Sequence, residues 1–243
     1  MPRSSDPAAR RPSWAKLLME GPAAARLLGA QLRRPRFGGV RGGSAGGPRT
    51  VMVIPAFLAN DLPTLHLRRT LDACGFRAHG WNEGLNLGAR AGKFERLLAR
   101  IDRLAAEAPD GKVALVGWSL GGLYARELAK RRPHKVSMVA TLGTPFSHGQ
   151  RRNNAWKLYE AINDHDVDHP PVPVDGGEKP PVHTVAIWSP RDGIVAPASA
   201  RGEEGERDEA IEVSCRHNEL VSERKAVRAL VDALVRGLNA QSA

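Results

Sequence analysis

The chain has 243 residues, 42% of them hydrophobic and 26% charged, the balance of a globular protein long enough to bury one α/β core. Its formal net charge of +10 would suit a nucleic-acid binder. Residues 1–49, however, hold ten Lys/Arg against only Asp6 and Glu20 and leave the rest near neutral, so no specific nucleic-acid partner is expected. No stretch of 18 or more apolar residues is present, which excludes a membrane-spanning helix.

In chain order, residues 1–12 are rich in Pro, Arg and Ser and are expected to lack fixed structure. A helical pattern starts at Ser13, a suitable N-cap, and runs through SWAKLLMEGPAAARLLGAQLRR, with a break or kink expected at Gly21-Pro22. Lys16, Glu20 and Arg26 interrupt its apolar residues too often for an export leader, which makes a cytoplasmic protein the expectation. Basic residues lie between Trp14, Leu17, Leu18, Leu27, Leu28 and Leu32. Three readings stay open: a helix docked on the body, a helix making weak membrane-surface contact through its basic residues, or a disordered tail. The Gly-rich stretch 38–48 reads as a linker. Residues 1–48 thus form a basic extension, and 49–243 the main domain.

Beyond the linker, strands are predicted at 51–54 (VMVI), 76–81, 112–117 (KVALVG), 136–143 (VSMVATLG), 182–188 (VHTVAIW) and 210–213 (AIEV). Helices are predicted around 62–73, 92–107, over SLGGLYARELAKRR (119–132) up to Pro133, and over 222–238. This alternation implies βαβ units in a doubly wound, mostly parallel sheet with helices on both faces. Residues 147–181 interrupt it before the penultimate strand, with a helical stretch near 153–163 followed by a His/Asp/Pro-rich run. An insertion of that length is usually functional or disordered, and a small cap is the expectation.

Gly117-Trp118-Ser119-Leu120-Gly121 matches G-x-S-x-G between a predicted strand and a predicted helix. Small flanking residues permit the sharp, strained turn that lifts a serine hydroxyl above the carboxyl edge of a sheet. The bland alternative is a Gly-rich turn without chemistry. A serine needs a general base to take its proton. Of the eight histidines, His217 sits on a loop after a late strand, at the same sheet edge as Ser119. His183 lies within a strand, His134 follows a helix, and His165 and His169 belong to the polar insertion. Asp192, just past the strand at 182–188, is the candidate acid that orients the base, with Asp175 and Asp208 as rivals. The oxyanion donors are expected to be the backbone N–H groups of Leu120 and Phe57. Trp118, Phe57, Leu58, Leu120 and Phe146 are candidate walls of the substrate pocket, although Trp118 reads at least as well as packing for the elbow. Nothing in this chemistry calls for a metal or an organic cofactor. Cys74 and Cys215 could pair but lack the spacing of a metal site.

Together these residues resemble the α/β-hydrolase superfamily and, within it, the bacterial esterase and lipase branch, over roughly residues 50 to 238. The order Ser119, Asp192, His217 is the order of that fold. IPAFLAND (54–61) looks like a lipase oxyanion loop with Ala56 where a glycine is usual, and HGWNEGLNLG (79–88) and TLGTPF (141–146) are similar to segments of the same branch. The resemblance implies an α/β-hydrolase fold and a serine hydrolase that cleaves a small-molecule or lipid ester through an acyl-enzyme, without a cofactor. Two alternatives stay open. The same site could perform acyl transfer or cleave a thioester or lipid amide, or the chain could be a non-catalytic peripheral module that binds through its basic N-terminus.

Overall fold

A computed structural model of the chain describes residues 11–35, 43–44, 47–88, 90–149, 151–163, 165–166, 168–169, 171 and 176–240. The expectations for residues 1–10, for most of the Gly-rich linker and for Asp175 lie outside the described residues.

Besides a two-residue ribbon pairing Gly43–Ser44 with Gly47–Pro48, the strands are β1 (Thr50–Ile54), β2 (Arg77–Gly80), β3 (Val113–Trp118), β4 (Val136–Leu142), β5 (His183–Trp188) and β6 (Glu209–Glu212). They form one sheet in the order β2-β1-β3-β4-β5-β6, and every neighbouring pair is parallel. Two helices precede the sheet, α1 (Trp14–Leu18) and α2 (Glu20–Ala30). Within the body come α3 (Leu65–Ala73), α4 (Ala91–Glu107), α5 (Leu120–Arg131), α6 (Trp156–Ile162), α7 (Pro197–Arg201) and α8 (Arg224–Asn239).

The central strands are buried along their whole length because helices cover both faces. Alternation along β1 shows the two layers. Val51 and Val53 join Leu67 and Leu71 of α3 and Leu230 and Leu234 of α8 in one core. Met52 and Ile54 face the other way, into a core with Phe94 and Leu97 of α4 and Leu128 of α5. The edge strands β2 and β6 are half exposed and carry polar residues. After β1 the chain winds outward to β2, then crosses back to add β3 on the other side. That reversal opens a crevice beyond the carboxyl ends of β1 and β3, where a parallel sheet places its ligands.

Ser13 caps α1, its hydroxyl accepting from Lys16 N–H at 3.4 Å. The break in the N-terminal helix comes at Met19, not at Gly21-Pro22. Pro22 falls in the first turn of α2, where backbone N–H groups have no intrahelical partner and the missing donor costs nothing. Helix α7, which begins with Pro197, has no counterpart among the predicted elements; at five residues it is too short for a periodic signal. Cys74 and Cys215 are buried free thiols. Among the described residues, no helix is long and apolar enough to cross a membrane.

Candidate active site

Ser119 sits between β3 and α5 with φ 53° and ψ −123°, a left-handed conformation that costs a non-glycine residue on the order of 1–3 kcal/mol. Its surroundings hold it there. The Ser119 N–H donates to the Leu142 carbonyl of β4 at 2.8 Å. A Cβ at Gly117 would collide with Gly121 and Gly122, and one at Gly121 would collide with the Ile54 carbonyl of β1. The glycines therefore let helix and strand close to within backbone contact on either side of the serine. No other residue type fits those two positions.

Asp192 and His217, far apart in the chain, meet behind this turn. His217 Nδ1 lies 2.7 Å from Asp192 Oδ2, and both side chains are withdrawn from solvent. The second carboxylate oxygen of Asp192 accepts from the N–H groups of Ile194 and Val195, each at 2.8 Å, which fixes the carboxylate's plane. Burial alone would lower the His217 pKa, but the Asp192 charge, its hydrogen bond and then the Glu20 charge outweigh it, so the net shift is upward. Beneath the pair lies Gly143 with φ 58°, where a Cβ would stand 3.0 Å from Asp192 Oδ2 and 3.1 Å from His217 Nδ1. The Trp118 indole N–H donates to the His217 carbonyl at 3.3 Å, with ring centroids 6.0 Å apart.

The remaining histidines are engaged elsewhere or lie in the framework. His165 meets the Tyr159 hydroxyl at 2.9 Å, His169 pairs with Asp166, and His148 with Glu203. His183 lies 3.7 Å from Asp208, whose carboxylate also accepts from Thr184 N–H. The expected oxyanion donors occupy the two turns that flank the crevice. Leu120 is the first residue of α5, where a helix N–H has no intrahelical acceptor. In the loop after β1, Leu58 N–H is committed to the Asn86 carbonyl at 2.7 Å, whereas Phe57 lines the crevice. The left-handed residue of that loop is Leu58, with φ 60°, and Ala56 keeps a negative φ. An alanine is therefore accommodated where related loops carry glycine.

A sequence model of the α/β-hydrolase fold matches residues 71–176. A pimeloyl-acyl-carrier protein methyl ester esterase of Aromatoleum aromaticum is 43% identical over 68 residues, covering 28% of this chain and 27% of that protein. A triacylglycerol lipase of Pseudarthrobacter phenanthrenivorans is 43% identical over 54 residues, or 22% of this chain and 17% of the lipase. The chain thus spans about a quarter or less of the curated relatives it matches. A solved Bacillus subtilis carboxylesterase superposes with a TM-score of 0.54 at 12% identity, covering 92% of this chain and 99% of the esterase, a likeness of fold. The chain has the α/β-hydrolase fold.

The crevice is an open pocket of about 410 Å³. Ser119 stands in it with Phe57, Leu120 and Leu123 on the body side, and Trp156 and Tyr159 of α6 opposite. Ile194 and Val195 of the acid loop complete the wall. The insertion that reads as polar in sequence thus contributes two aromatic side chains. Tyr159 packs on Phe57 with centroids 5.4 Å apart. Of the expected wall residues, Phe57 and Leu120 line this pocket, whereas Trp118, Leu58 and Phe146 do not. Trp118 is buried against the His217 loop, Leu58 is 42% exposed beside the crevice, and Phe146 packs under the Arg126 guanidinium, 4.3 Å from its ring centroid.

Three framework residues escape a motif search. Asn86 donates to the Pro55 carbonyl at 2.8 Å and accepts from Leu58 N–H, bracing the loop that carries Phe57. The Ser189 hydroxyl donates to the Cys215 carbonyl at 2.6 Å, tying the acid loop to the histidine loop. Glu20 of α2 reaches both of those loops. Its only sequence signal is that it is one of two acids in a strongly basic extension.

Proposed function

We propose that the chain hydrolyses carboxylic esters through an acyl-enzyme on Ser119. The observation that carries this reading is the buried 2.7 Å Asp192–His217 pair behind a serine held in a strained left-handed turn. His217 takes the Ser119 hydroxyl proton as Oγ bonds to the ester carbonyl carbon, and Asp192 stabilises the imidazolium. The Leu120 and Phe57 N–H groups receive the oxyanion. The tetrahedral intermediate collapses with cleavage of the C–O bond, and His217 returns the proton to the leaving alcohol. Water, deprotonated by His217 in turn, then attacks the acyl-serine and releases the acid. No step needs a metal or organic cofactor.

The lining of the pocket favours an apolar acyl group from a small-molecule or lipid ester. The printed names of the esterase and lipase relatives are in keeping with ester cleavage. Turnover of nitrophenyl esters of graded acyl length, with alcohol and thiol acceptors in parallel, tests the reading. Ser119→Ala is expected to lose roughly 10³-fold or more in rate. Undiminished turnover by that variant would sink the proposal, and product transferred to an acceptor instead of water would reassign the chemistry to acyl transfer.

A further inference from the structure

Glu20 lies in the basic N-terminal extension, outside residues 71–176 that the α/β-hydrolase sequence model matches, yet it is only 4% exposed. One carboxylate oxygen accepts from Gly193 N–H at 2.8 Å and from His217 N–H at 2.9 Å. The other accepts from Asn218 N–H at 3.1 Å and from the Asn218 side-chain amide at 3.2 Å. Gly193 follows the acid, and Asn218 follows the base. A single side chain, 197 residues from His217 in sequence, thus joins the two loops by four charge-assisted hydrogen bonds. The helix is seated to make this contact. Lys16 Nζ donates to the Pro190 carbonyl at 2.7 Å, and a Cβ at Gly193 would collide with the Lys16 carbonyl. Asn154 of the insertion donates to both the Pro12 and Gly193 carbonyls.

Resting on the serine-hydrolase reading, we propose that Glu20 is a positioning residue that locks the Asp192 and His217 loops in register, making the N-terminal helices part of the catalytic centre. A carboxylate buried among backbone N–H groups is costly unless all its lone pairs are used, and here the donors come from the residues whose spacing sets the base. Glu20 also adds negative charge beside the imidazolium. The other charged groups on the elements packed against the His217 loop are Asp192 and Arg191 on the acid loop and Lys16 on α1. Arg216 and Glu219 lie beside the histidine, with Glu219 held by Arg26 of α2 at 2.7 Å. Of all these, Asp192 and Glu20 are the ones that raise the His217 pKa.

The test compares the full-length chain with Glu20→Ala and Glu20→Gln, using nitrophenyl ester turnover over pH and normalising rates to the fraction of chains that a fluorophosphonate labels. Glu20→Ala is expected to lose about 10–100-fold in kcat with KM changed far less, because the base is displaced while most of the pocket wall, on the loop after β1 and on α5 and α6, is not. Glu20→Gln keeps the size and one acceptor but not the charge. It is expected to lose less rate and to move the acid limb of kcat/KM to lower pH, since the neutral base then persists to lower pH. A purely structural role would reduce the labelled fraction and leave the pH profile of the labelled enzyme in place. That result, or a Glu20→Gln profile superimposed on the wild type with kcat within twofold, would overturn the proposal. Wild-type turnover indifferent to Ser119→Ala would mark failure of the hydrolase reading itself, a distinct outcome.

Discussion

The turn that presents Ser119 is set by its immediate neighbours in sequence, with β1 and β4 packed against it, whereas the Asp192–His217 pair is held by groups from distant parts of the chain. Around the serine, Gly117 and Gly121 bring strand and helix into backbone contact, and the turn is complete within five residues. Around the pair, Gly143 supplies the floor, Ser189 ties one loop to the other, and Glu20 braces both from the N-terminus. A nucleophile needs a single reproducible turn, which local sequence can encode. A base and its acid need two loops set at a fixed separation, which only a tertiary network provides.

This contrast can be broken by substitution. Asp192→Asn should have the largest effect of the three changes considered next, a loss of roughly 10³–10⁴-fold in kcat with near-native stability, because the amide presents the wrong partner to Nδ1. A loss below tenfold would show that the acid plays no orienting part. Gly143→Ala should have an intermediate effect. The added Cβ stands within 2.6 Å of Leu220 Cδ1 and crowds both members of the pair, at a backbone φ that alanine disfavours. Displacing the pair by a fraction of an ångström is expected to cost about 10–100-fold in kcat, and the strain about 1–3 kcal/mol in denaturant-derived stability. Arg228→Ala, which removes the exposed ion pair with Asp232 on α8, should have the smallest effect. It is expected to shift stability by less than about 0.5 kcal/mol, with turnover unchanged. A larger shift would mean that α8 transmits strain to the site.

The same contrast explains what could be read in the sequence. The four inner sheet strands announce themselves because buried parallel strands are continuous apolar runs bounded by turn residues, as in Val51–Ile54 and Val113–Val116. The elbow is legible for a similar reason: its constraint is local and expressed in glycines. The loops carrying Asp192 and His217 follow from chain order and from the strands before them, and the fold brings those two side chains together. The network around them leaves no periodic trace. Glu20 is an unremarked acid in an amphipathic helix until the loops it bridges are placed in space. The pocket wall was obscured in the same way. Trp156 and Tyr159 stand in a stretch whose average character is polar, and only the docking of α6 over Phe57 turns them inward.

The most direct measurement is the site and rate of fluorophosphonate modification, followed by intact mass and peptide mapping. The expected result is a single adduct per chain, on Ser119, forming much more slowly in Asp192→Asn than in the wild type. An adduct on another residue, or an equal rate of Ser119 modification in the two proteins, would contradict a serine activated by the buried Asp192–His217 pair.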